Sequence, residues 1–397
     1  MKKTKLTEPP TVYAVMLQRG SLQKLIDLPE SSRRSVRTIE ICTTRLSRQV
    51  YDLYDRYFRP PSPAPENVGI GGVSLSSVVD KGDYGYIDFK READDAQREA
   101  GDRYLRLLEQ QEEFTKSGLA IEFLTRAMNC LPNCHNIRLS DANKPLGADQ
   151  LDYDVGYNLR KGFDPGCQES QEYVKYVLRT ALAAISMTCT KVANFEVCLL
   201  PCLGQPGTSP ITGHSLELTT DYQMLCHQSL DGISSLKLVL NPGSNRYWDK
   251  HVSTFLNVFP NLSHFQLQLA DNSNEVPFTK IAEIARSKPL HTFELVHGST
   301  TEAFLVELLL SFETKLEKIV LCNVNIDTNG GWPSIIAKVG ARLPANSLVL
   351  QNCRCLGYPL ATSTNHIPQS FKIVSERDAE MVAELLQKAT LAVVSPT

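Results

Sequence analysis

Short segments in which apolar and polar residues alternate return along this chain at nearly equal intervals. The cleanest is Ile233-Ser-Ser-Leu236-Lys-Leu238-Val-Leu-Asn241, apolar at its first, fourth and sixth positions and polar at its ninth. The same form recurs at Leu262-Ser-His-Phe265-Gln-Leu267, Leu290-His-Thr-Phe293-Glu-Leu295 and Leu316-Glu-Lys-Ile319-Val-Leu321. A further copy, Ala345-Asn-Ser-Leu348-Val-Leu350, ends in Cys353. Alternation of this kind predicts a strand with one apolar face. Between the strands, residues 252–259, 278–286, 303–312 and 335–343 carry the spacing of helices.

The second apolar position falls at Leu238, Leu267, Leu295, Leu321 and Leu350, in steps of 29, 28, 26 and 29 residues. That period is the signature of leucine-rich repeats. Three earlier segments fit the pattern: Val36-Arg-Thr-Ile39-Glu-Ile41, Leu131-Pro-Asn-Cys134-His-Asn-Ile137-Arg-Leu139 and Val192-Ala-Asn-Phe195-Glu-Val197. The first of these reads as the opening strand, and residues 12–28 before it as a loose helix interrupted at Gly20. Parallel strands need long crossovers, which the helices supply. Strands sit ~4.8 Å apart and helices are ~10 Å wide, so the stack bends with the sheet inside. The expected fold is α/β: a horseshoe solenoid with a parallel concave sheet and outer helices. It spans 12–390 as a single unit, flanked by tails at 1–11 and 391–397. Phe371-Lys-Ile373 and residues 376–388 are candidates for a closing strand and helix.

The early half carries two long insertions, at about 59–87 and 141–170. Arg59-Pro-Pro-Ser-Pro-Ala-Pro65 ends a helix suggested by Leu46, Val50, Leu53, Tyr54 and Phe58. It reads as a stiff loop before a polyproline ligand or a phosphosite at Ser62. From 88 to 116 charges of both signs are dense, with i,i+4 pairs such as Arg98–Asp102. A solvated helix face is the simpler reading there. Apolar residues at 119–128 and the stripe Tyr173, Val174, Val177, Leu178, Ala181, Leu182 and Ile185 predict two more helices.

Composition narrows the functional classes. The formal charge of −3 and pI near 6.3 give no reason to expect a nucleic-acid binder. No apolar run long enough for a membrane span is present, and no apolar stretch follows the basic start to make a signal peptide. Eleven cysteines, an odd number scattered through the chain, do not form a secreted disulfide framework. A cytoplasmic or nuclear setting is the expectation. Cys130 and Cys134-His135, Cys198 and Cys202 near Cys189, Cys226-His227 and Cys353-Arg-Cys355 cluster, but none has the paired spacing of a zinc module. Cys134 and Cys353 instead occupy repeat positions, so no metal and no cofactor is expected. Phosphate-loop, nucleophile-elbow, zinc-protease and dinucleotide motifs are all missing. A non-enzymatic scaffold follows.

The ladder strands, the Leu131-Pro-Asn133 and Phe259-Pro-Asn261 segments before them, and the long early insertions resemble fungal F-box-type proteins with degenerate leucine-rich repeats. The resemblance covers about 12–390 in architecture and rests on the period. It implies a helical F-box that docks on the adaptor of a cullin-type ubiquitin ligase, and repeats that present a substrate. Leu28-Pro-Glu30 superficially matches the opening of an F-box, but no helical triplet follows it, so that module is expected to be lost or truncated. The function implied is that of a substrate receptor, with the adaptor as a further partner.

The outward strand positions are the candidate binding surface. The central column reads Glu40, Arg138, Glu196, Lys237, Gln266, Glu294, Val320 and Val349. The next reads Cys42, Ser140, Cys198, Val239, Gln268, Val296, Cys322 and Gln351. The early half is charged, whereas Val296, Val320, Cys322 and Val349 gather late, flanked by Gln266 and Glu294. Contiguous exposed apolar residues mark binding surfaces. A protein partner is expected there, unless residues 356–397 fold over it.

Overall fold

The computed structural model describes residues 10–52, 95–155, 167–199, 211–219, 230–242, 247–269, 277–311, 316–327, 331–339 and 347–355, together with 222, 358–359, 370–371, 381–384 and 386. The proline run, the glycine-rich part of the first insertion, Cys202, Cys226-His227, the helical unit near Leu225, and the tails apart from residues 10–11 lie outside them.

The chain opens with β1 (Val12–Met16), α1 (Arg19–Ile26), α2 (Glu30–Ser35) and β2 (Thr38–Cys42). Then come α3 (Asp95–Lys116), α4 (Leu119–Asn129), β3 (Asn136–Leu139), α5 (Ala148–Val155), α6 (Gln168–Met187) and β4 (Asn194–Val197). A 3-10 turn at Gly213–Leu216 precedes β5 (Ser235–Leu240), α7 (Trp248–Leu256), β6 (His264–Leu269) and α8 (Thr279–Ala285). The series ends with β7 (Thr292–Thr300), α9 (Glu302–Leu310), β8 (Lys318–Ile326), α10 (Gly331–Val339) and β9 (Ser347–Gln351). Three two-residue strands follow: β10 (Arg354–Cys355), β11 (Tyr358–Pro359) and β12 (Ser370–Phe371).

Strands β1 to β9 are parallel, each added beside its predecessor in chain order, so the molecule is a serial α/β arrangement. The repeat positions fall in register. Val15, Ile41, Leu139, Val197, Leu238, Leu267, Leu295, Leu321 and Leu350 form one lateral column. Beside it runs Tyr13, Ile39, Ile137, Phe195, Leu236, Phe265, Phe293, Ile319 and Leu348. Apart from the partly buried Tyr13, both columns are buried and join the helices in one continuous core. Aromatic rings fill the gap between layers, as where Phe195 and Phe255 flank Phe259 and Trp248 meets Phe278 edge-on.

Cys353 sits in the turn slot its repeat position predicts. Its buried thiol donates to the Leu321 carbonyl at 3.2 Å, one unit back, and burial pushes its pKa up to about 12. Next to this slot His297, Asn323 and Asn352 all adopt left-handed backbone angles, at φ 59°, 56° and 52°. Asparagine and histidine tolerate that region better than most residues. The kink lets β7 and β8 continue beyond the repeat strand, with Gly298 beside Val324 and Asn325 beside Arg354.

Several expectations are corrected. The first strand is β1, not the segment at 36–41. Ala14, Val15 and Met16 are all buried, so both faces of β1 are covered and its sequence shows no alternation. Gly20 lies within α1, with open space where a Cβ would project, and interrupts nothing. Leu28-Pro-Glu30 is the connection into α2, where Pro29 is the N-cap. The second insertion, whose Gly, Asp and Pro content reads as a loop, contains α5 and the first residues of α6. The charged stretch from 95 to 116 is not merely a solvated face, because α3 buries Tyr104, Leu108, Gln111 and Phe114. At the other end the closing strand is β12, antiparallel to β9 on its free edge. Val382 and Leu386 beyond it pack into the core.

Leu238 and Leu295 are essentially inaccessible. Leu238→Ala or Leu295→Ala should each lower the unfolding free energy by about 2–5 kcal/mol. Urea titration of purified protein measures this, and a shift below ~0.5 kcal/mol in both would remove the column from the core.

Candidate protein-binding face

The sheet face turned away from the helices differs between its two ends. At the early end it is closed. Ala14 and Met16 stand beside Glu40 and Cys42 in register, and all four are buried. The cover is built from residues 43–52, α3 and the segment 141–155. Met16, Leu46, Tyr51, Tyr104, Leu108, Ala148 and Val155 form a second, smaller apolar cluster there.

Polar side chains fasten that cover. Tyr104 Oη donates to the Ser47 carbonyl at 3.1 Å and accepts from its amide at 2.8 Å. One turn pair along the same helix face, Gln111 does the same for Leu46, donating at 3.0 Å and accepting at 3.1 Å. The segment after β3 then crosses the sheet as a strap. Asp141 accepts from the Thr43 amide and hydroxyl at 2.6 and 2.5 Å. Asn143 donates its amide and side chain to the buried Glu40 carboxylate at 2.8 and 2.6 Å. Leu146 then donates to the Ala14 carbonyl of β1 at 2.8 Å.

Glu40, Cys42 and Ser140 are therefore not part of an exposed charged column, contrary to the sequence expectation. Val239 is buried as well. Partly accessible in this half are the Arg138–Glu196 ion pair at 2.7 Å, Lys237 next to it, and Cys198. Burial raises the pKa of Asp141 above the ordinary carboxylate range, and the Glu40 charge adds to that. Burial also raises the Cys42 thiol, and the charges of Asp141 and Glu40 add to that.

The late end is different. Gln266, Glu294, Val320 and Val349 stand side by side across β6 to β9. Gln268, Val296, Cys322 and Gln351 form the next row. Val320 is thus in register with Val349, and Val296 with Cys322 in the adjacent row, and each of the four is half-buried. Glu294 borders them, with His264 Nε2 at 3.8 Å on the side away from the valines. Burial, then the Glu294 charge, push the Cys322 thiol up, so it presents as a neutral, apolar group. Strand β12 lies in the sheet plane beside β9, pairing Ser370 with Val349, and so occupies the edge.

Among the described residues, further hollows lie elsewhere. One of about 230 Å³ is lined by Met16, Gln18, Leu46, Gln111 and Leu151 beneath the early cover. A wider cleft of about 670 Å³ opens at the start of β3 among Arg37, Asn129, His135, Cys189 and Lys191. The structure brings Cys130 and Cys134 no third ligand among the described residues. It does gather His214, Glu217 and His251, whose donor atoms all lie within 4.8 Å of one another. Only His214 and Glu217 are near in sequence, three apart, and no spacing links them to a histidine 37 residues away.

No protein-family model matches this chain, and no curated protein matches it. Among the described residues no helix is long and apolar enough to cross a membrane.

The raised pKa of Asp141 fixes the sign of a pH effect. Its folded pKa lies above the unfolded value of ~3.9, so its stabilising share is complete below that value and is lost as pH rises through the folded pKa. Asp141→Asn removes this titration. The stability of the wild type relative to the variant should therefore fall between pH 4 and neutrality. Urea midpoints across that range measure it, and a difference that grows with pH would contradict the burial of this carboxyl.

Proposed function

We propose that this chain is a leucine-rich-repeat horseshoe that acts as a non-enzymatic protein-interaction scaffold, binding a protein partner through the late part of its concave sheet. The observation that carries the proposal is the lateral register of Val296 with Cys322 and of Val320 with Val349 in adjacent rows, half-buried on a face whose other end is closed. The period of the repeats and their serial parallel order support the horseshoe. Bending follows from the unequal widths of strands and helices.

The chemistry of the patch describes its partner. Two valines, a third in the next row and a neutral thiol accept an aliphatic or aromatic side chain. Glu294 at the border, with Gln266 beyond it, suits a cationic group next to that anchor. The partner segment is thus apolar with a flanking lysine or arginine. A narrower version follows from the resemblance to F-box-type repeat proteins: the partner is then a substrate and the chain a receptor of a cullin-type ubiquitin ligase.

Selection of displayed peptides on the intact protein tests the binding face. Apolar peptides with an adjacent basic residue should be enriched, and Val320→Glu combined with Val349→Glu should weaken them about tenfold or more. Glu294→Gln should relax the preference for the basic residue. Equal binding by the folded double variant would remove the site. Retention of purified ligase adaptor by the chain decides the narrower version.

A further inference from the structure

The helix layer brings together two imidazoles and a carboxylate that play no part in the sheet face. His214 lies in the 3-10 turn, Glu217 is its C-cap, and His251 projects from α7. The approach is close because Gly213 packs on the first residue of α7. A Cβ there would meet the Trp248 carbonyl oxygen at 2.8 Å and its Cα at 3.1 Å. His251 follows one helical turn after Trp248, which sets the His214 and His251 rings 5.7 Å apart, edge to face.

We propose that His214, Glu217 and His251 form a binding site for a divalent transition metal of the zinc class, with Lys175 as its built-in competitor. Two imidazole nitrogens and one carboxylate oxygen are the donors such ions take. Bonds of ~2.0–2.1 Å in a tetrahedron require donor separations of about 3.3 Å. His214 Nδ1 and Glu217 Oε2 are already 3.0 Å apart, and all three donors lie within 4.8 Å. His214 and Glu217 are about half exposed, so small rotations close the set. Three protein donors leave a fourth position open to solvent or an outside ligand.

Lys175 makes the site conditional. Its ammonium, nearly buried, lies 3.0 Å from His214 Nε2 and 3.0 Å from Glu172 Oε1. Nε2 therefore accepts, and Nδ1 carries the proton it donates to Glu217. Metal binding at Nδ1 moves that proton to Nε2. The ammonium then loses its acceptor and is left to Glu172, beside a second positive charge. Removing Lys175 abolishes that competition.

The test uses the full chain, stripped of metal with a chelator and exchanged into chelator-free buffer, with Co²⁺ as the probe. One equivalent should bind with the visible bands of nitrogen and oxygen ligation and without the thiolate charge-transfer band that any of the eleven cysteines would give. His251→Ala and Glu217→Gln should each weaken binding about tenfold or more, and Lys175→Met should tighten it by a similar factor. Circular dichroism checks each fold, and His214→Asn replaces His251→Ala should that variant unfold. No Co²⁺ binding, a thiolate spectrum, or equal affinity in the ligand variants overturns the site. Unchanged affinity in Lys175→Met overturns the competition.

Discussion

Everything in this fold depends on the lateral register of one inward column, from Val15 in β1 to Leu350 in β9. Parallel pairing brings no local reward, because each strand must wait for a helix to return the chain. The column supplies the reward instead: every unit offers its apolar side chains to the unit before and the unit after. A slip of one residue would turn Leu238 outward and Lys237 inward, so the register is specified at each junction. One core consequently runs from the first strand to Leu386 without a break. A chain of 397 residues escapes the usual size limit of a single core this way.

The same logic explains what the sequence made legible. Leu236, Phe265, Phe293 and Ile319 alternate with half-exposed neighbours, so their strands stand out by period alone. Strand β1 escapes detection because Met16 is covered by Leu46 and Tyr104 on the face where other strands stay accessible. Glu40 misleads for the same reason. Its position is outward, as read, but Asn143 arrives from more than a hundred residues away to satisfy and cover it. Only a contact of that range distinguishes a buried glutamate from an exposed one. His214 and His251 share this property, since their meeting depends on Gly213 fitting against Trp248 rather than on any spacing. The three left-handed residues at 297, 323 and 352 are visible only as a polar residue in a repeated slot.

The two ends of the sheet solve the exposed-edge problem differently. At β9 the chain turns back and adds β12 antiparallel, which ends the parallel series. At β1 the Leu146 amide reaches over, and the strap behind it draws in Asp141, Thr43 and Glu40. Burying two carboxylates is costly unless donors meet them, and each here receives two. The donors, Thr43 and Asn143, have no share in the main core, whereas Leu146 at the end of the strap packs against it, so the strap adds polar satisfaction to apolar area. That arrangement leaves the early face sealed and the late valines uncovered by it.

Beyond the early strap, which carries Leu146 from the β3 unit to β1, the serial order limits how far a local event reaches, because a unit packs chiefly on its neighbours. The His214–Glu217–His251 cluster joins the turn before β5 to the helix after it, so an ion there would act on that junction. The late patch lies on β7, β8 and β9, reached from α7 through β6 and α8. No side chain in the cluster belongs to the patch. Two occupants would therefore bind without direct contact, and coupling between them would have to pass through the stiffness of the intervening units. A metal clamp raises that stiffness at one end only. Its signature is local protection around α7 and the turn, with the late face unaltered.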